Sequence, residues 1–228
     1  MTVSIDIHTV TRLAHRTVPR WLRRARSVAA AYCMVGSLLP GGSLAASVLR
    51  SWLTGRVCDG DGEPVPWWTW GAIKYLEHRI PHDARVLEWG AGYSTVWLAS
   101  RAASVVSIEH DAAWADWVRD HAPGADVRTW IGDVPYDQSV KDGDGPFDIV
   151  VVDAGTEWMR EKAIRRSERL LSVGGVWICD NSDVPGASCG KLLSGTGWRE
   201  LPFAGLSPAT PIPNVTSIFY HGENCLGI

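Results

Sequence analysis

The stretch that decides the fold runs from residue 85 to residue 95 and reads RVLEWGAGYST. Its first five residues form a mostly apolar run typical of a buried strand. Gly90 and Gly92 then predict a turn at which the backbone can approach a ligand closely. Residues 94–101 have the pattern of a helix, whose first N–H groups lack partners within the helix. This order predicts the first strand–turn–helix unit of an α/β sheet.

Strand-like and helix-like segments alternate downstream of this unit. We predict strands at 104–109, 126–131, 147–152 and 176–179, and helices at 112–121 and 157–171, with Gly174 and Gly175 as the stop of the second helix. The alternation predicts a doubly wound, mostly parallel α/β sheet with right-handed crossovers. Two late strands, 197–202 and 215–220, flank a proline-rich loop and predict an antiparallel C-terminal hairpin.

Composition and charge separate the chain into two parts. The 228 residues are 46% hydrophobic and 21% charged with a net charge of −3, which excludes a disordered or collagen-like chain and gives nucleic-acid binding no support. Residues 1–56 hold eight arginines and one acid, a charge of +7 that leaves −10 for the rest. We therefore predict a basic helical N-terminal extension, 1–56, before a catalytic domain, 57–228.

The location of the chain is predicted from its apolar segments and its cysteines. The apolar run after Arg26 stops after 13 residues, whereas a bilayer span needs about 20. Three roles stay open for this segment: it packs on the domain, it contacts a membrane peripherally, or it is an export signal. Five cysteines without a CxxC pair exclude the usual zinc frameworks and indicate reduced thiols in a cytoplasmic protein.

An acidic residue follows or ends each predicted parallel strand. In doubly wound sheets ligands bind outside the carboxyl ends of the strands. Glu109 lies 19 residues beyond Gly90, where a carboxylate can accept both hydroxyls of a ribose. One such acid alone would more often cap a helix or face solvent, but the repetition favours a nucleoside site. The acids are Glu88, Glu109, Asp133, Asp153 and Asp180.

Two families of nucleoside-binding proteins compete for this pattern. The nicotinamide-binding fingerprint needs a third glycine where Thr95 stands. The chain instead carries ExGxGxST, an acid after the second strand and Gly132-Asp133 after the third. With this combination it resembles the class I S-adenosylmethionine-dependent methyltransferases, from about residue 64 to the C-terminus. The resemblance implies that Glu109 binds the ribose hydroxyls and Asp133 the adenine. It further implies that the remainder of the cofactor lies against Glu88, Gly90, Gly92 and Ser94.

A second resemblance concerns the catalytic and metal residues. The pattern of Asp153 followed by Asp180-Asn181 resembles the metal-binding triad of the catechol-type O-methyltransferases. In that subfamily the triad holds Mg²⁺ against neighbouring hydroxyls of the acceptor. Hard oxygen ligands suit Mg²⁺, which lowers the pKa of a bound hydroxyl. The lysine base of that subfamily is missing here, and the nearest basic residue, Arg160, is a poor proton acceptor. The alternative is that Asp180-Asn181 caps a turn.

The aromatic residues before the first strand and the histidines add secondary candidates. Trp67, Trp68 and Trp70 could wall the acceptor, but helical spacing favours core packing for Trp67 and Trp70. His110 adjoins the expected adenosine side, so we do not expect it to be the catalytic base. His221 follows the last predicted strand.

These observations predict methyl transfer from S-adenosylmethionine to a small-molecule acceptor. A hydroxyl oxygen is the favoured acceptor atom, with Asp153, Asp180 and Asn181 positioning it with or without Mg²⁺. Two alternatives remain at this stage. One is a nicotinamide-dependent oxidoreductase, and the other is a non-catalytic adaptor that uses the basic extension to bind a membrane or a partner.

Overall fold

A computed structural model describes residues 43–132, 134–184, 189–193 and 196–228. Within them seven strands form one mixed sheet in the order β3-β2-β1-β4-β5-β7-β6. The first five strands run parallel, and β7 and β6 pair antiparallel at one edge. The strands are β1 (Arg85–Trp89), β2 (Ser104–Glu109), β3 (Ala125–Thr129), β4 (Phe147–Val152), β5 (Leu171–Cys179), β6 (Arg199–Ser207) and β7 (Thr210–Tyr220). The predicted doubly wound sheet with its antiparallel hairpin is confirmed.

The helices connect these strands and cover both faces of the sheet. They are α1 (Ser43–Thr54), α2 (Trp70–Leu76), α3 (Tyr93–Ala99), α4 (Ala112–His121), α5 (Glu157–Ser167) and α6 (Cys189–Leu193). Two large apolar clusters bury alternate side chains of the central strands, one with Leu87 and Val150 and the other with Val86 and Ile149. A central strand covered on both faces reads as a continuous apolar run, which is why β4 was visible in the sequence.

The connection from α5 to β5 differs from the prediction. The helix ends at Ser167 rather than near residue 171, and β5 begins at Leu171 instead of residue 176. Gly174 and Gly175 lie inside this strand, where the register with β4 shifts and Gly174 has a φ of +79°. The two glycines therefore form a bulge in a strand and do not stop a helix.

The C-terminal hairpin is also longer than predicted. Its strands extend through the segment expected to be a proline-rich loop and meet at a turn between Ser207 and Thr210. Only residues 217–219 of β7 pair with β5, so the first half of β7 pairs with β6 alone. Pro202 and Pro213 are tolerated because strands at a sheet edge need fewer backbone N–H donors.

The described part of the basic extension, residues 43–56, consists mainly of the helix α1. The Trp52 Nε1 donates to the Ala209 carbonyl in the hairpin turn at 2.8 Å, and the Ser51 hydroxyl accepts from the Cys58 N–H at 3.1 Å. Residues 43–54 thus pack on the domain. The rest of the predicted extension, residues 1–42, lies outside the described residues. No helix in the described ranges is both long and apolar enough to cross a bilayer.

Candidate functional site

A cavity of about 340 Å³ opens at the carboxyl ends of β1, β2 and β4. This volume lies within the usual range of small-molecule pockets, about 300–1,000 Å³. Five of the predicted site residues line it together: Gly90, Gly92, Ser94, Glu109 and Asp153. Its other walls are formed by Trp67, Ala91, Tyr93, His110, Asp111, Trp114 and Gly155. Asp133 lies outside the described residues, so its predicted contact with adenine stays a prediction.

The turn after β1 is shaped by a close approach to the turn after β4. Gly90 has a φ of +104°, and a Cβ built there would lie 2.5 Å from the Asp153 carbonyl oxygen. A side chain at this position would be strained and would also clash with backbone. Gly90 therefore lets two cavity-lining turns touch, in addition to leaving room for a ligand.

Glu88 does not line the cavity but lies behind the glycine turn, fully buried. The hydroxyls of Thr95 and Ser107 donate to its carboxylate, and the Thr95 hydroxyl accepts from the Gly92 N–H at 2.8 Å. Burial raises the pKa of Glu88 to about 7, against the opposing effect of these hydroxyl donors. The carboxyl is thus linked through Thr95 to the backbone of the turn that forms the cavity wall.

The raised pKa of Glu88 predicts a pH-dependent stability. The carboxyl ionises near pH 4.5 in the unfolded chain and near pH 7 in the folded one. The native state retains the proton between these values, so the free energy of unfolding falls as pH rises through this window, by about 3 kcal/mol at most. Urea unfolding of the wild type and of Glu88→Gln at pH 5 and pH 8 measures this contribution.

The difference between the two proteins isolates Glu88 from the other titrating groups. Glu88→Gln has no carboxyl to ionise, so its unfolding free energy relative to wild type should rise between pH 5 and pH 8. An equal pH dependence in both proteins would contradict the buried, protonated Glu88.

Glu109 is the best-defined carboxylate of the cavity. Its Oε1 accepts from the N–H groups of His110 and Asp111, both at 2.8 Å, and lies 2.9 Å from the His110 Nδ1. No hydrogen bond joins its Oε2 to any residue that the structure describes. These contacts hold the carboxylate in one orientation and raise the pKa of His110. An oriented carboxylate with one unused oxygen suits a pair of neighbouring hydroxyl donors.

Two tryptophans form walls of the cavity: Trp67 was a predicted candidate for a wall, although core packing was favoured for it, and Trp114 was not predicted. Trp67 lines the cavity and donates from Nε1 to the Thr210 hydroxyl at 2.9 Å, while Trp68 is fully buried and Trp70 packs against the core. Trp114 donates to the Ala91 carbonyl at 2.7 Å. The favoured core role thus describes Trp70, whereas Trp67 both packs against the core and lines the cavity. Trp114 could have been predicted as a wall, because it lies on the first turn of the helix that follows β2.

The carboxyl ends of β4 and β5 carry the predicted catalytic residues, of which the cavity reaches only Asp153. Asp180 is 4% exposed, and its carboxylate accepts from the Thr216 hydroxyl at 2.6 Å. Burial, together with the nearby Asp153, raises the pKa of Asp180 well above its ordinary value. Asn181 has a φ of +52° and accepts from the Val184 N–H through its carbonyl, as expected of a turn residue.

The residues at this edge do not fit a divalent cation. The Arg160 guanidinium lies among them, and its Nη2 is 3.1 Å from the Asp153 Oδ1. Asp180 is already hydrogen-bonded, and no group of three acidic, histidine or cysteine residues within the described ranges could hold a metal. Mg²⁺ is usually bound through one or two carboxylates with free oxygens, and waters fill the rest of its octahedral shell. The predicted triad of Asp153, Asp180 and Asn181 is therefore not assembled as a set of free ligands.

Comparison with known sequences gives a match over the central part of the chain. A family model described as a methyltransferase domain matches residues 87–182, from β1 to the turn after β5. A search of curated proteins finds no match to this sequence.

Comparison with solved structures gives the fold. The O-methyltransferase TomG from Streptomyces achromogenes, solved with S-adenosylmethionine, is 19% identical with a TM-score of 0.55 over 83% of this chain and 95% of its own. An O-methyltransferase from Bacillus cereus, solved with S-adenosylhomocysteine, is 18% identical with a TM-score of 0.56 over 84% and 97%. A precorrin-6y C5,15-methyltransferase from Geobacter metallireducens is 14% identical, with a TM-score of 0.51 over 66% and 86%. The chain therefore has the fold of the S-adenosylmethionine-dependent methyltransferases.

Proposed function

We propose that this chain transfers the methyl group of S-adenosylmethionine to a hydroxyl oxygen of a small molecule. The observation that carries the proposal is the single cavity that brings the glycine turn, Glu109 and Asp153 together at the carboxyl edge of the sheet. The matched methyltransferase domain and the structural relatives support the cofactor. The relatives include both O-methyltransferases and a C5,15-methyltransferase, so the oxygen acceptor rests on the cavity's own residues.

The described residues of the cavity suit the ribose and methionine parts of the cofactor. The Oε2 of Glu109 is free to accept the ribose hydroxyls, and the backbone of Gly90 and Gly92 leaves room for the sugar and the methionine. When bound, the cofactor supplies an electrophilic methyl group on a sulfonium, so the protein needs only to align the nucleophile and exclude water. Trp67 and Trp114 supply apolar walls suited to excluding water.

Asp153 is the residue we assign to the acceptor. It lines the cavity, and its Oδ1 accepts from Arg160, while no described residue donates to its Oδ2. Burial raises the pKa of Asp153, and the Arg160 guanidinium opposes that effect. A carboxylate fixed in this way can accept the proton of a hydroxyl and orient its oxygen toward the methyl donor.

Asp153→Asn tests this assignment with methyl-labelled S-adenosylmethionine and a panel of hydroxylated acceptors. We expect a methyl ether as the wild-type product and a turnover lowered about 100-fold in the variant, because the amide cannot accept the hydroxyl proton. The affinity for S-adenosylhomocysteine should stay within about threefold of wild type. A product methylated only on nitrogen or carbon, or full turnover by the variant, would contradict the proposal.

A further inference from the structure

Arg160 is a buried arginine whose guanidinium reaches back from α5 to the carboxyl ends of β4 and β5. It is 6% exposed. Its Nε donates to the Ala154 carbonyl at 2.7 Å, and its Nη1 donates to the Asp180 carbonyl at 2.6 Å and to the Val152 carbonyl at 3.3 Å. Its Nη2 donates to the Asp153 carboxylate at 3.1 Å. One cation thus joins the backbone after both strands to the carboxylate that lines the cavity.

This location coincides with the place where the sequence resemblance predicts a metal. The predicted ligands Asp153 and Asp180 are the residues that Arg160 contacts, one through its carboxylate and the other through its carbonyl. A divalent ion bound to the same two residues would lie close to a like charge in a poorly solvated region. At such short distances a guanidinium and a divalent ion repel each other even when their charges are partly screened.

The sequence supplies an independent observation. The segment after β4 reads AGTEWMR and holds no lysine, so its first basic residue is Arg160. Thr156 begins α5 by accepting from the Met159 N–H at 3.2 Å, and this start of the helix places Arg160 in its first turns. An arginine remains protonated at any physiological pH, so its charge is permanent.

We propose that Arg160 is a built-in cation that replaces the divalent metal at the acceptor edge. The inference rests on the proposed function and specifies its substrate class. Since no metal has to be chelated, the acceptor needs no neighbouring pair of hydroxyls, and a single hydroxyl that donates to Asp153 suffices. Arg160 is a positioning residue, because it acts through the carboxylate of Asp153.

Manganese binding tests the proposal without knowledge of the acceptor. Wild type, Arg160→Gln and Arg160→Lys, each saturated with S-adenosylhomocysteine, are titrated with Mn²⁺ and followed by electron paramagnetic resonance. We expect no bound Mn²⁺ in the wild type or in Arg160→Lys, which retains the charge. Arg160→Gln removes the charge next to Asp153 and should bind Mn²⁺ at least about tenfold more tightly than the weakest affinity that the titration of the wild type can detect.

A matched control separates this effect from a general loss of a helix arginine. Arg166 lies on the same helix and donates to the Val140 carbonyl and the Asp142 carboxylate, so Arg166→Gln should leave Mn²⁺ binding unchanged. Adding Asp153→Asn to Arg160→Gln should abolish the new binding, because Asp153 is the carboxylate that Arg160 contacts.

Two results would overturn the proposal. One is equimolar Mn²⁺ bound by the wild type and removed by Asp153→Asn, and the other is a folded Arg160→Gln with no gain in Mn²⁺ affinity. If Arg160→Gln does not fold, the wild type and Arg160→Lys still test the proposal. Mn²⁺ bound by either protein would contradict a permanent positive charge in place of the metal. Failure of the proposed function would appear separately, as a wild type that does not bind S-adenosylhomocysteine.

Discussion

Gly90→Ala should lower the free energy of unfolding by about 2–4 kcal/mol, because the new side chain is both strained and overpacked. Its Cβ would lie 2.5 Å from the Asp153 carbonyl oxygen and 2.8 Å from the carbonyl carbon, and the φ of +104° disfavours any L side chain. Backbone atoms on the other side of the contact cannot rotate away as a side chain would. Urea denaturation monitored by tryptophan fluorescence measures the loss.

Gly92→Ala is the matched control for this substitution. Gly92 has a φ of −179°, which is extended backbone, and a Cβ there would meet only the Trp114 ring, at 3.8 Å. We expect its unfolding free energy to stay within about 1 kcal/mol of wild type. Equal losses in the two variants would show that the contact between the two turns does not make Gly90 necessary.

Glu109→Ala should weaken the binding of S-adenosylhomocysteine by about 10- to 100-fold, the usual effect of losing a charged hydrogen-bond partner. Glu109 is the carboxylate whose unused Oε2 we assign to the ribose hydroxyls. Isothermal titration calorimetry of the purified variant measures the change. Circular dichroism has to show a native fold, because the same carboxylate accepts from the N–H groups of His110 and Asp111.

Glu109→Gln provides the graded comparison. Its amide oxygen can still accept from those two N–H groups, so the local structure should be kept while the negative charge is lost. Its affinity should fall between that of wild type and that of the alanine variant. Wild-type affinity in a folded Glu109→Ala protein would refute the ribose assignment.

Much of the fold was visible in the sequence because the buried strands are short apolar runs. The predicted bounds of β1, β2 and β4 agree with the structure. The first half of β5 was missed because it contains polar Ser172, fully exposed Val173 and two glycines, none of which indicates a buried strand. The hairpin was underestimated because its prolines suggest a loop unless they lie on an edge.

The site was predictable to the extent that it depends on strand ends. The rule that ligands lie at the carboxyl edge correctly brought Glu109 and Asp153 together at one cavity. It does not apply to Glu88, which lies within β1 and so follows the alternation of a strand. Val86 and Glu88 share one face, and both are completely buried, so the strand period was the signal that this carboxylate lies behind the turn.

The role of Arg160 could not be predicted from spacing alone. It lies seven residues beyond Asp153, and the packing of α5 on the sheet brings its guanidinium back to the ends of β4 and β5. This packing involves buried residues such as Ala163 and Ile164, which belong to the hydrophobic core. A local motif carries no information about it.

Calorimetry of the wild-type chain with S-adenosylhomocysteine and with NAD⁺, in the presence of a chelator, tests the central claim most directly. The cavity formed by the glycine turn and Glu109 predicts equimolar binding of S-adenosylhomocysteine and no detectable binding of NAD⁺. Binding of NAD⁺ without binding of S-adenosylhomocysteine would contradict the account.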